Sequence, residues 1–253
     1  MSWAFISDVH IKFPGDENQR IIKAFFDKSE ELGAEKIFLL GDIFDLMIGE
    51  KTEYLEHYHQ FFTDLAASSA KEIHFFEGNH DFHLRKVWEN IKKFYPAIPP
   101  VFYHENGLVM EKGGKRIWIS HGDDIEIGNP KYKVLRFIVR SFPAKFIGNL
   151  RFITFNRIKL IAFCIHKLQK LVDKVFGKSS KLKEMDLIKS RFRESAVKIA
   201  NRENAEIVVI GHSHVKDFVD LQNCVYINNG YVPKSKCCSV IDEEGKVKQI
   251  SLS

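Results

Sequence analysis

The sequence predicts an α/β fold, built on a mixed sheet or two stacked sheets with helices outside. Three observations predict it. Short apolar runs alternate with amphipathic helical stretches through the first eighty residues. A hairpin pattern, a basic helical stretch and further strand-like runs follow. Each of five apolar runs ends in a polar motif rich in Asp, Asn, His and Gly. In α/β folds that edge is where sites are built.

Residues 3–6 form the first apolar run and end in Ser7-Asp8-Val9-His10. Apolar residues at i, i+3 and i+4 spacing predict a helix over 19–32, closed by Gly33. Residues 36–40 (KIFLL) read as a buried strand leading into Gly41-Asp42-Ile43-Phe44-Asp45. A helix is expected over 53–67, then a strand over 73–76 that ends in Gly78-Asn79-His80-Asp81. Strands over 107–110 and 116–120 flank the turn Lys112-Gly113-Gly114-Lys115, and the second ends in His121-Gly122-Asp123. A helix over 190–201 precedes a strand over 206–210 ending in Gly211-His212-Ser213-His214. The tail has strand-like runs at 225–228, 239–242 and 246–252, the last pair turned by Gly245.

The 253 residues suffice for one large domain, read here as a single domain over 1–253 with an insert at about 131–193. No apolar run is long enough to span a bilayer. The N-terminus has neither a basic leader nor a signal-like apolar stretch, so the expected location is the cytosol. The cysteines (Cys164, Cys224, Cys237 and Cys238) lack CxxC spacing and read as reduced thiols rather than a zinc site. Charge is distributed unevenly. Residues 131–193 carry 17 Lys or Arg against three acids, a local +14 that leaves −9 elsewhere in a chain of +5.

Chemistry resides in five motifs: Asp8-x-His10, Gly41-Asp42-x-x-Asp45, Gly78-Asn79-His80-Asp81, His121-Gly122-Asp123 and Gly211-His212-x-His214. Residues two apart in a strand point the same way, so extended geometry would let Asp8 and His10 reach one metal, and likewise His212 and His214. Carboxylate oxygen with imidazole nitrogen suits Mn²⁺, Fe²⁺ or Zn²⁺ better than Mg²⁺ or Ca²⁺. Glycines before Asp42, Asn79 and His212 permit tight turns near the metals. His57-x-His59 has ligand-like spacing but lies in an expected helix, where i and i+2 diverge.

Together these motifs resemble the calcineurin-like metallophosphoesterase signature, spanning Asp8 to His214. The resemblance implies a four-layer α/β/β/α sandwich with a helical cap insert. It implies two divalent ions, Mn²⁺ first among the candidates with Fe or Zn as alternatives. Asp8, His10, Asp42 and His214 would hold one ion. Asp42, Asn79, His121 and His212 would hold the other, with Asp42 bridging. Ions about 3.5–4 Å apart activate a water for in-line attack on phosphorus. His80 takes the role of the non-ligand histidine that neutralises charge or protonates the leaving oxygen. Asp81 is expected to hold the loop or pair with His80, and Asp45 and Asp123 to support the ligands.

A narrower resemblance is to the bacterial UDP-2,3-diacylglucosamine pyrophosphatases of lipid A synthesis. It rests on chain length, Gly-Asp-x-Phe-Asp followed by Ile48-Gly49, His-Gly-Asp followed by Tyr132 and Arg136, and Ser179-Ser180-Lys181 before Met185-Asp186. It implies cleavage of an amphiphilic nucleotide-sugar lipid at the inner membrane face, by a peripheral rather than spanning protein. Substrate contacts would come from Asn79, His80, His212, Lys181, Lys174, Lys178 and Asn129. Phe137, Phe142, Phe146 and Phe152 among the insert's cations fit such a substrate. Where that family commonly carries Arg, this chain carries His80. The alternatives are a phosphoesterase for a nucleotide, phospholipid or phosphoprotein, a nuclease tracking a phosphate backbone with its basic segment, or a scaffold with an inactive metal site. Strong aliphatic character and the absence of a nucleic-acid motif disfavour a nucleic-acid partner. The complete ligand set disfavours an inactive scaffold.

Overall fold

A computed structural model describes residues 1–123 and 181–252. Six strands form the first sheet. Four are parallel: β1 (Ser2–Ile6), β2 (Ala34–Leu39), β4 (Glu72–Phe76) and β6 (Val101–His104). On the other side of β1, β12 (Cys237–Ile241) and β13 (Val247–Ser251) add antiparallel. The second sheet has the order β10 (Asp217–Asp220), β11 (Val225–Asn228), β9 (Ile207–Ile210), β8 (Lys115–Ile119), β7 (Leu108–Lys112). Here β8, β9 and β11 run parallel. A two-stranded pair, β3 (Met47–Ile48) with β5 (Asp81–Phe82), ties the second motif's loop to the third.

Alternation along the strands assembles the layers. Trp3, Phe5, Phe38, Leu40 and Phe76 face inward and meet Ile117, Ile119, Ile207, Val209 and Ile227 of the second sheet. Their neighbours Ala4, Ile6, Ile37, Leu39, Ile73 and Phe75 face outward. They are covered by α1 (Glu17–Glu31), α3 (His59–Ala66) and α4 (Arg85–Asn90). On the far side, Trp118, Val208, Ile210 and Tyr226 meet Phe192, Ala196, Ile199 and Ala200 of α5 (Lys181–Glu203). The result is the α/β/β/α sandwich, since side chains of opposite parity on one strand bury against different layers.

Several boundaries differ from expectation for identifiable reasons. The first helix starts at Glu17 because Asp16 caps it, its carboxylate accepting from Gln19 N at 2.8 Å. The helix expected over 53–67 is two, α2 (Glu53–His57) and α3, parted at Tyr58, whose buried hydroxyl donates to Leu46 O at 3.1 Å. The helix expected over 190–201 runs from Lys181 to Glu203, so it crosses the expected end of the insert. Arg193, one of the segment's cations, is committed to the body: its guanidinium donates twice to Asp217, at 2.8 and 2.9 Å. Strands β6 and β10 lie outside the sequence expectation. Both are four-residue edge strands with weak alternation, and pairing to a neighbour defines them. The body of the basic insert lies outside the described residues.

Candidate metal centre

The parallel strands β1, β2 and β4 of one sheet, and β8 and β9 of the other, end at the same edge of the sandwich. All five motifs therefore converge there. The backbone does not stay extended through them. Asp8 (φ 53°), His10 (φ 54°), Asp42 (φ 52°), His212 (φ 64°) and His214 (φ 56°) all adopt left-handed conformations. The expectation that strand alternation aims each pair at a metal is corrected here. β1 stops at Ile6 and β9 at Ile210, and each pair is presented by two left-handed residues flanking one other. Such residues cost about 1–3 kcal/mol each and persist where the surroundings hold them. Asp8 N donates to Gly41 O at 3.1 Å and His10 N to Asp42 O at 3.0 Å, clamping the first two motifs together.

Three groups of side chains that could hold a metal result. Asp8, His10, Asp42 and His214 form the first, and Asp42, His121 and His212 the second, with ligand atoms in each within 4.8 Å of one another. The third, His10, Asp45 and His80, shares His10 with the first. Asp42 belongs to the first two. Its Oδ2 lies 3.8 Å from His10 Nε2 and 3.7 Å from His121 Nε2, buried and without a hydrogen-bond partner among the described residues. Asn79 joins the second group through Oδ1, 3.2 Å from His121 Nε2 and 2.9 Å from His212 Nδ1. An orphaned buried carboxylate oxygen between two imidazole clusters fits divalent cations, as does the mixed oxygen and nitrogen donor set. His121 Nδ1 faces Leu40 O at 2.7 Å, which leaves Nε2 toward Asp42.

Electrostatics agree with this arrangement. Burial would raise the Asp8 carboxyl, yet His214 and His121 hold it down at about 2. Burial acts on Asp42 in the same way and is outweighed by His121, His80 and His10. Burial would lower the His10 imidazole, but Asp45, Asp42 and Asp8 raise it above its ordinary value. Asp8 and Asp42 are thus both held toward the ionised form that a metal needs, whereas burial and the neighbouring Asp42 raise the Asp81 carboxyl.

The supporting residues separate into distinct tasks. Asp81 does not pair with His80. Its carboxylate accepts from the backbone N–H groups of Asp42 (2.8 Å), Ile43 (2.7 Å) and Gly78 (2.9 Å), stitching the second motif to the third. His80 Nδ1 instead meets Asp45 O at 2.8 Å, and His80 N donates to Asp42 Oδ1 at 2.9 Å. Asp45 Oδ1 lies 3.6 Å from His10 Nδ1, and Asp45 forms the third candidate ligand group with His10 and His80. Asp123 is buried beside His121. Gly78 is required by crowding, since a Cβ there would meet Asp42 N, Asp42 Oδ1 and Asp81 Oδ1. His57 and His59 diverge toward Lys12 O and the Tyr95 hydroxyl and lie in none of the candidate ligand groups. Cys224, Cys237 and Cys238 are buried free thiols and belong to none of the candidate ligand groups. Of the expected substrate contacts, Asn79, His80 and His212 line the centre. Asn129, Lys174 and Lys178 lie outside the described residues, and Lys181 opens α5 with its side chain undescribed.

A sixth segment, Asn228 to Val232, carries none of the five motifs. Asn228 Nδ2 donates to Gly211 O at 2.6 Å and Asn229 Nδ2 to Phe5 O at 3.0 Å, both from buried side chains. Tyr231 N donates to His214 O at 3.2 Å and Val232 N to Asp8 O at 3.3 Å. The adjacent pair Asn228-Asn229 at the end of an apolar strand is the signal that the sequence offers for it.

Two candidate metal-ligand groups share the Asp42 carboxylate at the strand ends of an α/β/β/α sandwich, an arrangement able to hold divalent ions. The calcineurin-like phosphoesterase family model matches residues 1–216, and the chain belongs to that family, whose members are metal-dependent hydrolases. It is similar to the UDP-2,3-diacylglucosamine hydrolase of Wigglesworthia glossinidia brevipalpis, 26% identical over 230 residues, 89% of this chain and 84% of the relative. The enzyme of that name from Vibrio atlanticus is also 26% identical, over 85% of this chain and 81% of its own. Among solved structures, an archaeal phosphodiesterase aligns over 99% of both chains with 14% identity and a TM-score of 0.48.

Proposed function

We propose that this chain cleaves the pyrophosphate of UDP-2,3-diacylglucosamine, giving UMP and 2,3-diacylglucosamine 1-phosphate. The observation that carries the chemistry is the Asp42 carboxylate shared between the two clusters. The relatives' activity supports the substrate. So do the cations and large apolar residues of 131–193, which suit a lipid bearing phosphates.

In this reading Asp8, His10, Asp42 and His214 hold one divalent ion, and Asp42, Asn79, His121 and His212 the other, with Mn²⁺ the favoured metal. Bound ions supply Lewis acidity and a water of lowered pKa. The chain's own residues do the rest. Asp42 sets the spacing of the two clusters. His80, fixed through Nδ1 on Asp45 O, stands beside the His10 ring at 4.8 Å and delivers a proton or positive charge to the departing phosphate oxygen. Water oxygen bonds to the α-phosphorus and stays in UMP, while the bond from that phosphorus to the bridging oxygen breaks and the bridging oxygen leaves with the sugar phosphate. The protein acts as a peripheral protein on the cytoplasmic face of the membrane, and no described helix is long and apolar enough to cross it.

His80 itself favours a second reading, a different phosphoester substrate on the same metal centre, because the narrower family commonly carries Arg there. Product analysis separates the two. The Mn²⁺-loaded chain is given UDP-2,3-diacylglucosamine in detergent, with Asp42→Ala and chelator-treated controls. Release of UMP and the diacyl sugar phosphate, absent from both controls, supports the proposal. Absence of both, alongside metal-dependent hydrolysis of an aryl phosphodiester, retains the phosphoesterase and discards this substrate.

A further inference from the structure

His214 is the ligand candidate with the least support. Its side chain is 46% exposed, against 6% or less for His10, Asp8, Asp42 and His121. Its backbone is left-handed. Among the described residues its ring meets two polar groups, Asp8 Oδ1 and His10 Nε2, each at 3.3 Å, and both belong to the cluster itself. Both contacts converge on Nε2, the edge of the ring that faces the cluster, and leave its face to other neighbours.

One neighbour outside the cluster covers that face. The Tyr231 ring stacks on His214, centroids 5.5 Å apart and planes 28° apart, and it also approaches His10 at 5.8 Å. Its own placement is over-determined. Tyr231 N is bonded to His214 O, Val232 N to Asp8 O, and Gly230 N to the fully buried Asn228 Oδ1 at 2.8 Å. The segment ahead of it is anchored through Asn229, whose amide spans from Phe5 O to Ser239 Oγ. An aromatic face carried on a rigid segment therefore limits the rotation of an exposed imidazole on a strained backbone.

We propose that Tyr231 is a positioning residue for the Asp8–His10–Asp42–His214 cluster, acting through its ring by holding His214 in the ligating orientation. The inference rests on the dinuclear reading above. Ring stacking is the operative contact, so phenylalanine serves at this position and an aliphatic side chain does not. A residue that supports a metal ligand sets metal affinity by about 10–100-fold.

The test is Mn²⁺ titration of the full chain by calorimetry, with electron paramagnetic resonance reporting coupling between the two ions. Parent, Tyr231→Phe and Tyr231→Leu are compared, with thermal melting of each metal-free protein as the folding check. Two ions in the parent and in the Phe variant, with one weakened by about 10-fold or more and coupling lost in the Leu variant, is the expected result. Should the Leu variant melt early, Tyr231→Met fills similar space without a flat face and gives the same comparison. Two ions of parental affinity in the folded aliphatic variant overturn the role of Tyr231 and leave the dinuclear centre standing. A parent that binds no Mn²⁺ overturns both.

Discussion

The carboxylate of Asp81 accepts hydrogen bonds from the backbone N–H groups of Asp42 and Ile43, at 2.8 and 2.7 Å, across 39 and 38 residues of chain. The loop that carries the shared Asp42 is thus built on the loop that carries Asn79 and His80. Asp81→Asn replaces one acceptor oxygen by an amide that cannot accept, inside a ring of donors. The expected result is a loss of about 1–3 kcal/mol in urea unfolding and weaker Mn²⁺ binding. Unchanged stability and affinity would show that the stitch is dispensable.

Gly211 is packed against the first motif. A Cβ there would lie 2.6 Å from Asp8 Oδ2 and 2.7 Å from Ser7 Oγ. Gly211→Ala displaces Asp8 or the His212 loop, so stability should fall by about 1–3 kcal/mol. Metal affinity should fall with it. Denaturation and Mn²⁺ titration of the variant check both outcomes.

His80 differs from the ligand histidines in its expected signature. His80→Gln should leave two Mn²⁺ bound and lower kcat by about 10²–10⁴-fold, with KM little changed. Loss of an ion in this variant would reassign His80 to the metal shell. Steady-state kinetics combined with metal analysis of the same preparation distinguishes the cases.

A pH dependence arises at a histidine outside the candidate ligand groups. His104 is pushed down to about 4 by burial, then by His74 and Arg85, and its ring stacks on His74 and Phe76. In the unfolded chain it titrates near its ordinary value of about 6.5. Between those values the unfolded chain binds a proton that the folded chain refuses. This residue's contribution is complete above about pH 6.5 and is lost as pH falls toward about 4. His104→Phe should reduce the loss of stability in urea between about pH 7 and pH 4.5, by roughly 1 kcal/mol after allowing for partial exposure. An equal loss in parent and variant would remove His104 as its source.

Most of the metal centre is legible in the chain. Candidate ligands of this kind are short-range patterns at strand ends, and the five motifs in order single out Asp8, His10, Asp42, Asn79, His121, His212 and His214, which the fold brings together. The strands are legible for a similar reason. Phe38 and its neighbour Leu39 face opposite layers by parity alone, so a short run that is apolar at every position marks a central strand buried on both faces. Edge strands β6 and β10 lack a continuous apolar run of this kind and leave no such mark.

What only the tertiary structure decided is how those ligands are aimed and held. Asp8 and His10 converge through left-handed backbone at both residues, not through strand alternation, and the bonds that hold this come from Gly41 and Asp42. The partner of Asp81 is backbone rather than His80. Asn228, Asn229 and Tyr231 brace residues far away along the chain, Asn229 reaching Phe5 across 224 positions. The physical reason is one of range. Donor identity and strand parity are properties of neighbouring residues. The strain of five left-handed ligands is offset by contacts between segments that only folding brings together.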